Sequence, residues 1–274
     1  SVGLKEYNNW DFGGNYLFSG VGLDLSAAFK NQWVINNSFV VETPSLDTRI
    51  LRGGDAMKLP SKWTEVFAMN SDNTKKVFFN LQSIFSMSSN SSYKFYEISP
   101  GITIRPLNSL RFTVNANYSE NFDKLQYIDT KDFNNENRYL LGKINQQTLG
   151  FTFRVDYYIT PELSIQYYGS PYISIGKYQE IKYVTNPKAD EFDNRFSIYN
   201  NPVLIDNVYQ LDENNDLVTD YTLDNPDFDF SQFRSNLVAR WEYRPGSTVY
   251  LVWSLDKTYY ANPGEYSLSS ASSQ

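Results

Sequence analysis

From Leu237 to Arg244 every second residue falls on one side of an extended chain: Leu237, Ala239, Trp241 and Tyr243 on one face, Val238, Arg240, Glu242 and Arg244 on the other. The alternation returns in Leu110 to Ser119, Leu149 to Ile159 and Val249 to Asp256, always in runs joined by short turns. A chain patterned this way builds sheet, and a sheet with one greasy and one charged face needs something apolar against it. No stretch approaches the roughly 20 continuous apolar residues of a spanning helix. The expected fold is therefore all-β: an antiparallel transmembrane outer-membrane β-barrel, apolar toward lipid and polar toward its lumen.

The mean hydropathy of -0.49 does not oppose this, because a membrane strand is apolar only at alternate residues. Aromatics make up 17% of the chain, led by 22 Tyr and 19 Phe, which suits interfacial girdles. There is no Cys, so disulfides and thiolate metal sites are unavailable, and no His, which removes Ser-His-Asp catalysis and His-based metal sites. The expectation is a non-enzyme. The chain opens at Ser1 with neither an initiator Met nor a leader, the expectation for a processed or excised portion.

Five tight connections are expected at Lys30-Asn31-Gln32, Ser71 to Thr74, Pro106 to Ser109, Thr160-Pro161-Glu162 and Pro245-Gly246-Ser247. Longer polar links fall at 43 to 61, 87 to 92, 119 to 145 and 178 to 234, the last a long acidic extracellular loop. Short turns at one end and long loops at the other is the asymmetry of outer-membrane barrels, with the short turns periplasmic. Ten strands are expected near 15 to 29, 33 to 43, 61 to 71, 75 to 87, 92 to 105, 110 to 119, 146 to 159, 163 to 177, 234 to 244 and 248 to 258, and a half-strand at Val2 to Tyr7 makes eleven. Bacterial barrels normally have an even number. Residues 1–274 thus read as a single, partial barrel domain, ending on the loop side in Ser267 to Gln274.

Parity fixes register, since a one-residue slip sets an apolar face against a charged one. A three-residue Pro245-Gly246-Ser247 loop pairs Trp241 with Leu251, Ala239 with Trp253 and Leu237 with Leu255. At Lys30 to Gln32 the same rule pairs Phe29 with Trp33, Leu25 with Asn37, Leu23 with Phe39 and Val21 with Val41, with Asp24 beside Ser38. An Arg at the bilayer midplane costs roughly 2 to 4 kcal/mol. Asp24, Arg111, Arg154, Asp156, Arg240 and Glu242 are accordingly expected to line the lumen, and Phe112, Val114, Phe151, Phe153, Val155, Trp241, Leu251 and Trp253 to face lipid.

Arg52-Gly53-Gly54, with Pro60 and Trp63 downstream, and Phe233-Arg234-Ser235-Asn236-Leu237-Val238 leading through Trp241 to Ser247 resemble the C-terminal barrel domain of a Bacteroidetes outer-membrane family of unknown function. In that family the barrel usually follows a module similar to carbohydrate-binding family 9. Neither that module nor the apolar strand that normally ends the family is seen in this sequence. The resemblance implies location and architecture and carries over no catalytic residue.

The segment 183–233 holds eleven acidic residues against Lys188 and Arg195, a net of -9, so the rest of the chain sums to about +2 given the total of -7. Within it Asp212, Asn214 and Asp216 have the spacing that opens a calcium loop, the one candidate for a bound cation, Ca2+. Leu217 stands where that loop needs Gly and Leu223 where it needs Glu, which opposes an EF-hand. Acidic surface loops otherwise stay solvated or hold cations that bridge lipopolysaccharide phosphates. Arg52-Gly53-Gly54-Asp55 reads as a structural turn folded against the wall rather than a phosphate nest. Trp10, Trp33, Trp63, Trp241 and Trp253 read as interfacial anchors rather than a sugar platform. A pI near 4.8 without basic patches argues against nucleic acid.

Two functions fit: a channel or transport component, or a membrane anchor presenting a glycan-binding-like module. The alternatives are a soluble β-sheet carbohydrate-binding protein and the barrel subunit of a secretion or nutrient-uptake assembly. Expected partners are outer-membrane lipid, lipopolysaccharide, glycans and other outer-membrane proteins.

Overall fold

The computed structural model describes residues 1–261, and Ser267 to Gln274 lie outside the described residues. Three strands open the chain, β1 (Val2–Trp10), β2 (Tyr16–Ala28) and β3 (Val34–Glu42), followed by the short pair β4 (Ser45–Asp47) and β5 (Met57–Leu59). Six longer strands come next: β6 (Lys62–Asn70), β7 (Val77–Ser88), β8 (Tyr93–Leu107), β9 (Leu110–Phe133), β10 (Glu136–Tyr158) and β11 (Leu163–Val184). A 3-10 turn (Phe192–Arg195) leads into β12 (Phe196–Ile198), β13 (Val203–Ile205), β14 (Val208–Leu211) and β15 (Tyr221–Asp224), and the chain returns in β16 (Phe228–Arg244) and β17 (Ser247–Ala261).

Eleven of these strands form one antiparallel sheet in the order β1-β2-β3-β6-β7-β8-β9-β10-β11-β16-β17, with β12 added beside β11 and separate small sheets from β13-β14-β15 and β4-β5. The protein is thus all-β and antiparallel, and its sheet strands follow one another in sequence as a meander. The described strands do not close into a barrel, since β1 and β17 have no pairing with each other. An odd number of alternating strands leaves these two edges running in the same direction, so they cannot pair antiparallel.

Register follows the hydrophobic alternation. Val21 pairs with Val41, Leu23 with Phe39, Asp24 with Ser38 and Leu25 with Asn37, as parity requires. At the β16–β17 turn the pairing differs from expectation: Trp241 faces Val249, Ala239 faces Leu251 and Leu237 faces Trp253. The loop is the two-residue Pro245-Gly246, with Arg244 opposite Ser247, and an irregularity between Glu242 and Arg244 leaves Tyr243 unpaired. Gly246 takes the left-handed φ of 78° that the tight turn needs. One bulged residue does what a third loop residue was expected to do, keeping apolar opposite apolar.

The expected polar link at 119 to 145 is instead the far half of a long hairpin. β9 and β10 run on to a two-residue turn at Asn134-Asn135, both with positive φ (56° and 60°), as a type I′ turn demands. The acidic connection is likewise shorter than 178 to 234, because β11 continues to Val184 and β16 starts at Phe228.

These strand extensions hold the core. Leu140 and Leu141 are successive residues of β10, so they point to opposite faces, and each is fully buried in its own cluster. Leu141 and Leu125 pack with Leu51, Met57 and Phe196. Leu140 and Ile181 pack with Tyr199, Leu211 and Leu223. The loop end is therefore a three-layer module, with sheet in the middle, residues 43–61 and Phe196 on one side, and the β13-β14-β15 sheet on the other.

Candidate functional site

Below that module the sheet has two unlike faces. Arg111 stands opposite Asp156 and Thr113 opposite Arg154, whereas Phe112 faces Val155, Val114 faces Phe153 and Ala116 faces Phe151. On the polar face, several side chains pair with one another across or along the strands. Lys5 donates to Asp24 at 2.8 Å and to Ser38 at 2.9 Å. Thr64 and Ser86 lie 2.8 Å apart, Asn117 donates to Ser99 at 2.9 Å, and Arg240 pairs with Glu242 at 2.9 Å. The Arg154 guanidinium lies over the Tyr168 ring, 5.7 Å from its centre. Of the six residues expected to line a lumen, Asp24, Arg240 and Glu242 have ion-pair partners. Arg111 and Asp156 are cross-strand neighbours.

Among the described residues no layer covers the apolar face. Leu251 is 68% exposed, Trp241 54%, Trp253 49% and Phe153 39%. The row continues through Phe112, Ile104, Phe85, Phe39, Leu23 and Val21, all exposed. Trp63 stacks on Phe85 at 5.0 Å between ring centres, so even the aromatic contacts lie within the face rather than across it. Burial is thus inverted relative to a water-soluble sheet: the buried apolar residues sit in the loop-end module and its approaches, and the apolar rows below are exposed or half-exposed, as at Val114, Phe151 and Val155.

A cleft of about 570 Å³ opens in the loop-end module between residues 51–55, the tops of β10 and β11, and Glu213. Loop 43–61 is pinned there at several points. Gly54 lies so close to the Tyr139 ring that a Cβ would come within 2.6 Å of it, and Arg52 lies over Tyr127 at 4.6 Å. The Lys58 N–H donates to the Pro187 carbonyl at 2.9 Å, and the Arg195 guanidinium donates to the Lys58 carbonyl at 2.9 Å. Arg52 adopts φ of 48° and Gly53 φ of 117°, a tight turn, as expected for this motif.

A chain of hydrogen bonds reaches the cleft lining from the core behind it. The Tyr199 and Tyr221 hydroxyls are bonded to each other, and Tyr221 donates to Glu213 at 2.9 Å. The Arg138 Nε lies 3.0 and 2.9 Å from the two Glu213 oxygens, and its Nη1 donates to Glu136 at 2.8 Å. The bonds to Glu213 and then Glu136 hold the Arg138 pKa above the ordinary arginine range. Burial, reinforced by the bond to Tyr221, pushes Tyr199 upward, so its phenol stays neutral. Lys182, in β11, is fully buried 4.7 Å from the Phe196 ring centre, and burial brings its ammonium down to about 8 despite Glu180 at 3.9 Å.

Asp212, Asn214 and Asp216 come together in the turn after β14, where they accept backbone N–H groups: Asp212 from Leu217 at 2.8 Å, Asn214 from Asp216 at 2.9 Å, Asp216 from Val218 at 2.8 Å. These are turn-forming bonds. Among the described residues no three His, Cys, Asp or Glu side chains converge in a way that could hold a metal ion.

Reading the sequence alone misses Arg138 and Tyr139, because 119 to 145 looks like a link, and Glu213, which lies in the expected acidic loop at 178 to 234. The Asn134-Asn135 pair was the available signal, two residues that tolerate positive φ between alternating runs.

A family model described as a domain of unknown function, DUF5916, matches residues 12–269, and the chain belongs to that family. No curated protein and no solved structure matches it.

Proposed function

We propose that the eleven strands form the membrane-embedded wall of a bacterial outer-membrane β-barrel whose loop-end module is its working surface, in a channel or transport component. The observation that carries this is the inverted burial, with an uncovered apolar face from Val21 to Trp253 and a core confined to the loop end. Lipid would cover that face, and the polar face, part of whose side chains pair with one another, would turn toward a lumen. Among the described residues the outer edges of β1 and β17 are unpaired, which hydrocarbon does not tolerate, so this reading requires partner strands at both edges. The resemblance of the Trp241 to Ser247 motif supports the same location, in Bacteroidetes.

A second reading, a membrane anchor presenting a surface module, is favoured by the rigid three-layer core of the loop end. Conductance of the full-length protein in planar bilayers separates the two. Steady single-channel currents support the channel, and none with correctly inserted protein supports the anchor. Fractionation tests the shared premise: the protein is expected with the outer membrane, and recovery in the soluble fraction, as a soluble carbohydrate-binding protein would behave, contradicts it.

A further inference from the structure

The loop-end cleft is shaped and charged for one class of ligand: we infer that it binds a primary alkylammonium group, as carried by a polyamine or a lysine side chain. Its volume of about 570 Å³ lies within the range of small-molecule sites. Two aromatic side chains, Tyr139 and Tyr183, line it, and Tyr139 is fixed by its packing on Gly54. Their phenol oxygens can accept a hydrogen bond from an ammonium group.

The charge balance selects the sign of the ligand. Asp55, Glu136 and Glu213 line the cleft against a single cation, Arg138. Arg138 is already spent on Glu213 and Glu136, so no lining cation is free to receive a phosphate or carboxylate. Asp55 is exposed and has no ion-pair partner among the described residues, and the Glu136 ion pair with Arg138 runs through Oε2, leaving carboxylate oxygens at the cleft for an N–H donor. The surrounding segment 183–233, with its net charge of -9, adds to the same field and draws cations toward the opening. Because Glu213 is held by Arg138 and Tyr221, the wall is preorganised and loses little on binding.

The inference is independent of membrane placement, since the cleft belongs to the loop-end module. The test is calorimetric titration of the full-length protein in detergent micelles with spermidine, a tri-lysine peptide and maltotriose. Spermidine or the peptide is expected to bind, with the tighter of the two identifying the free or peptide-borne source. Asp55→Asn and Glu136→Gln, both surface changes that leave the core intact, are each expected to weaken binding about five- to tenfold, and added salt to weaken it further. Circular dichroism confirms that both variants are folded. Absence of heat with both amines, binding indifferent to both substitutions, or preferential binding of maltotriose would each overturn the inference.

Discussion

Replacing Phe153 with Arg separates a lipid-facing sheet from a water-facing one. Phe153 lies five residues up β10 from Tyr158 at the short-turn end. At about 3.3 Å per residue and a tilt near 40°, this places it about 12 Å above the base. On the proposed membrane placement that is close to the middle of an apolar band about 25 Å tall, where an outward Arg would cost roughly 2–4 kcal/mol. In water the same change at a residue 39% exposed would cost within about 0.5 kcal/mol of nothing. Phe153→Ala measures the lost contact with Phe151, whose ring centre is 6.1 Å away, and leaves the charge effect as the difference. Gln166→Arg is the opposite-face control, because Gln166 sits beside Asp156 on the polar face. Urea titrations of the full-length protein folded into phospholipid vesicles should show Phe153→Arg destabilised well beyond Phe153→Ala, with Gln166→Arg near wild type. If the two arginines cost the same, the assignment of faces is wrong.

Leu51→Ala empties a fully buried position where loop 43–61 meets β9 and β10, and should cost about 2–4 kcal/mol of loop-end stability. Trypsin should then cut at Arg49 and Arg52 much faster than in wild type, and unchanged cleavage would count against the packed loop. Lys182 carries the opposite sign of effect: its folded pKa of about 8 lies below the 10.5 of the free group, so the unfolded chain binds more protons between these values. Loop-end stability in urea should rise from pH 8 to 10.5 by no more than about 3 kcal/mol, and Lys182→Met should abolish that rise. Asn135→Gly places the residue preferred at the second position of a type I′ turn and should raise the melting temperature slightly, by up to about 1 kcal/mol in stability. A drop in melting temperature would show that the turn is of another kind.

Alternation made the wall legible because the sheet is a meander whose neighbours in space are neighbours in sequence. Parity at Lys30 to Gln32 was enough to place Leu23 opposite Phe39, since no irregularity intervenes. At Pro245-Gly246 parity gave the right faces and the wrong partners, because a bulged Tyr243 and a third loop residue have the same effect on facing. The loop-end module was hidden for a different reason. Leu140 and Leu141 are buried on both faces, which erases the period-two signal and makes β10 before Gln146 read as a polar link. The cleft draws Asp55, Arg138 and Glu213 from segments far apart in the chain, a convergence that spacing does not encode.

The central claim, that the row from Val21 to Trp253 faces acyl chains, is tested most directly by depth-dependent quenching of tryptophan fluorescence. Trp253, in β17, lies at mid-depth on this reading, while Trp10 ends β1 on the loop side. Single-tryptophan variants retaining either residue are folded into vesicles whose lipids carry bromine midway along the acyl chain. Trp253 should be strongly quenched and Trp10 almost untouched, and equal quenching of the two would contradict the membrane wall.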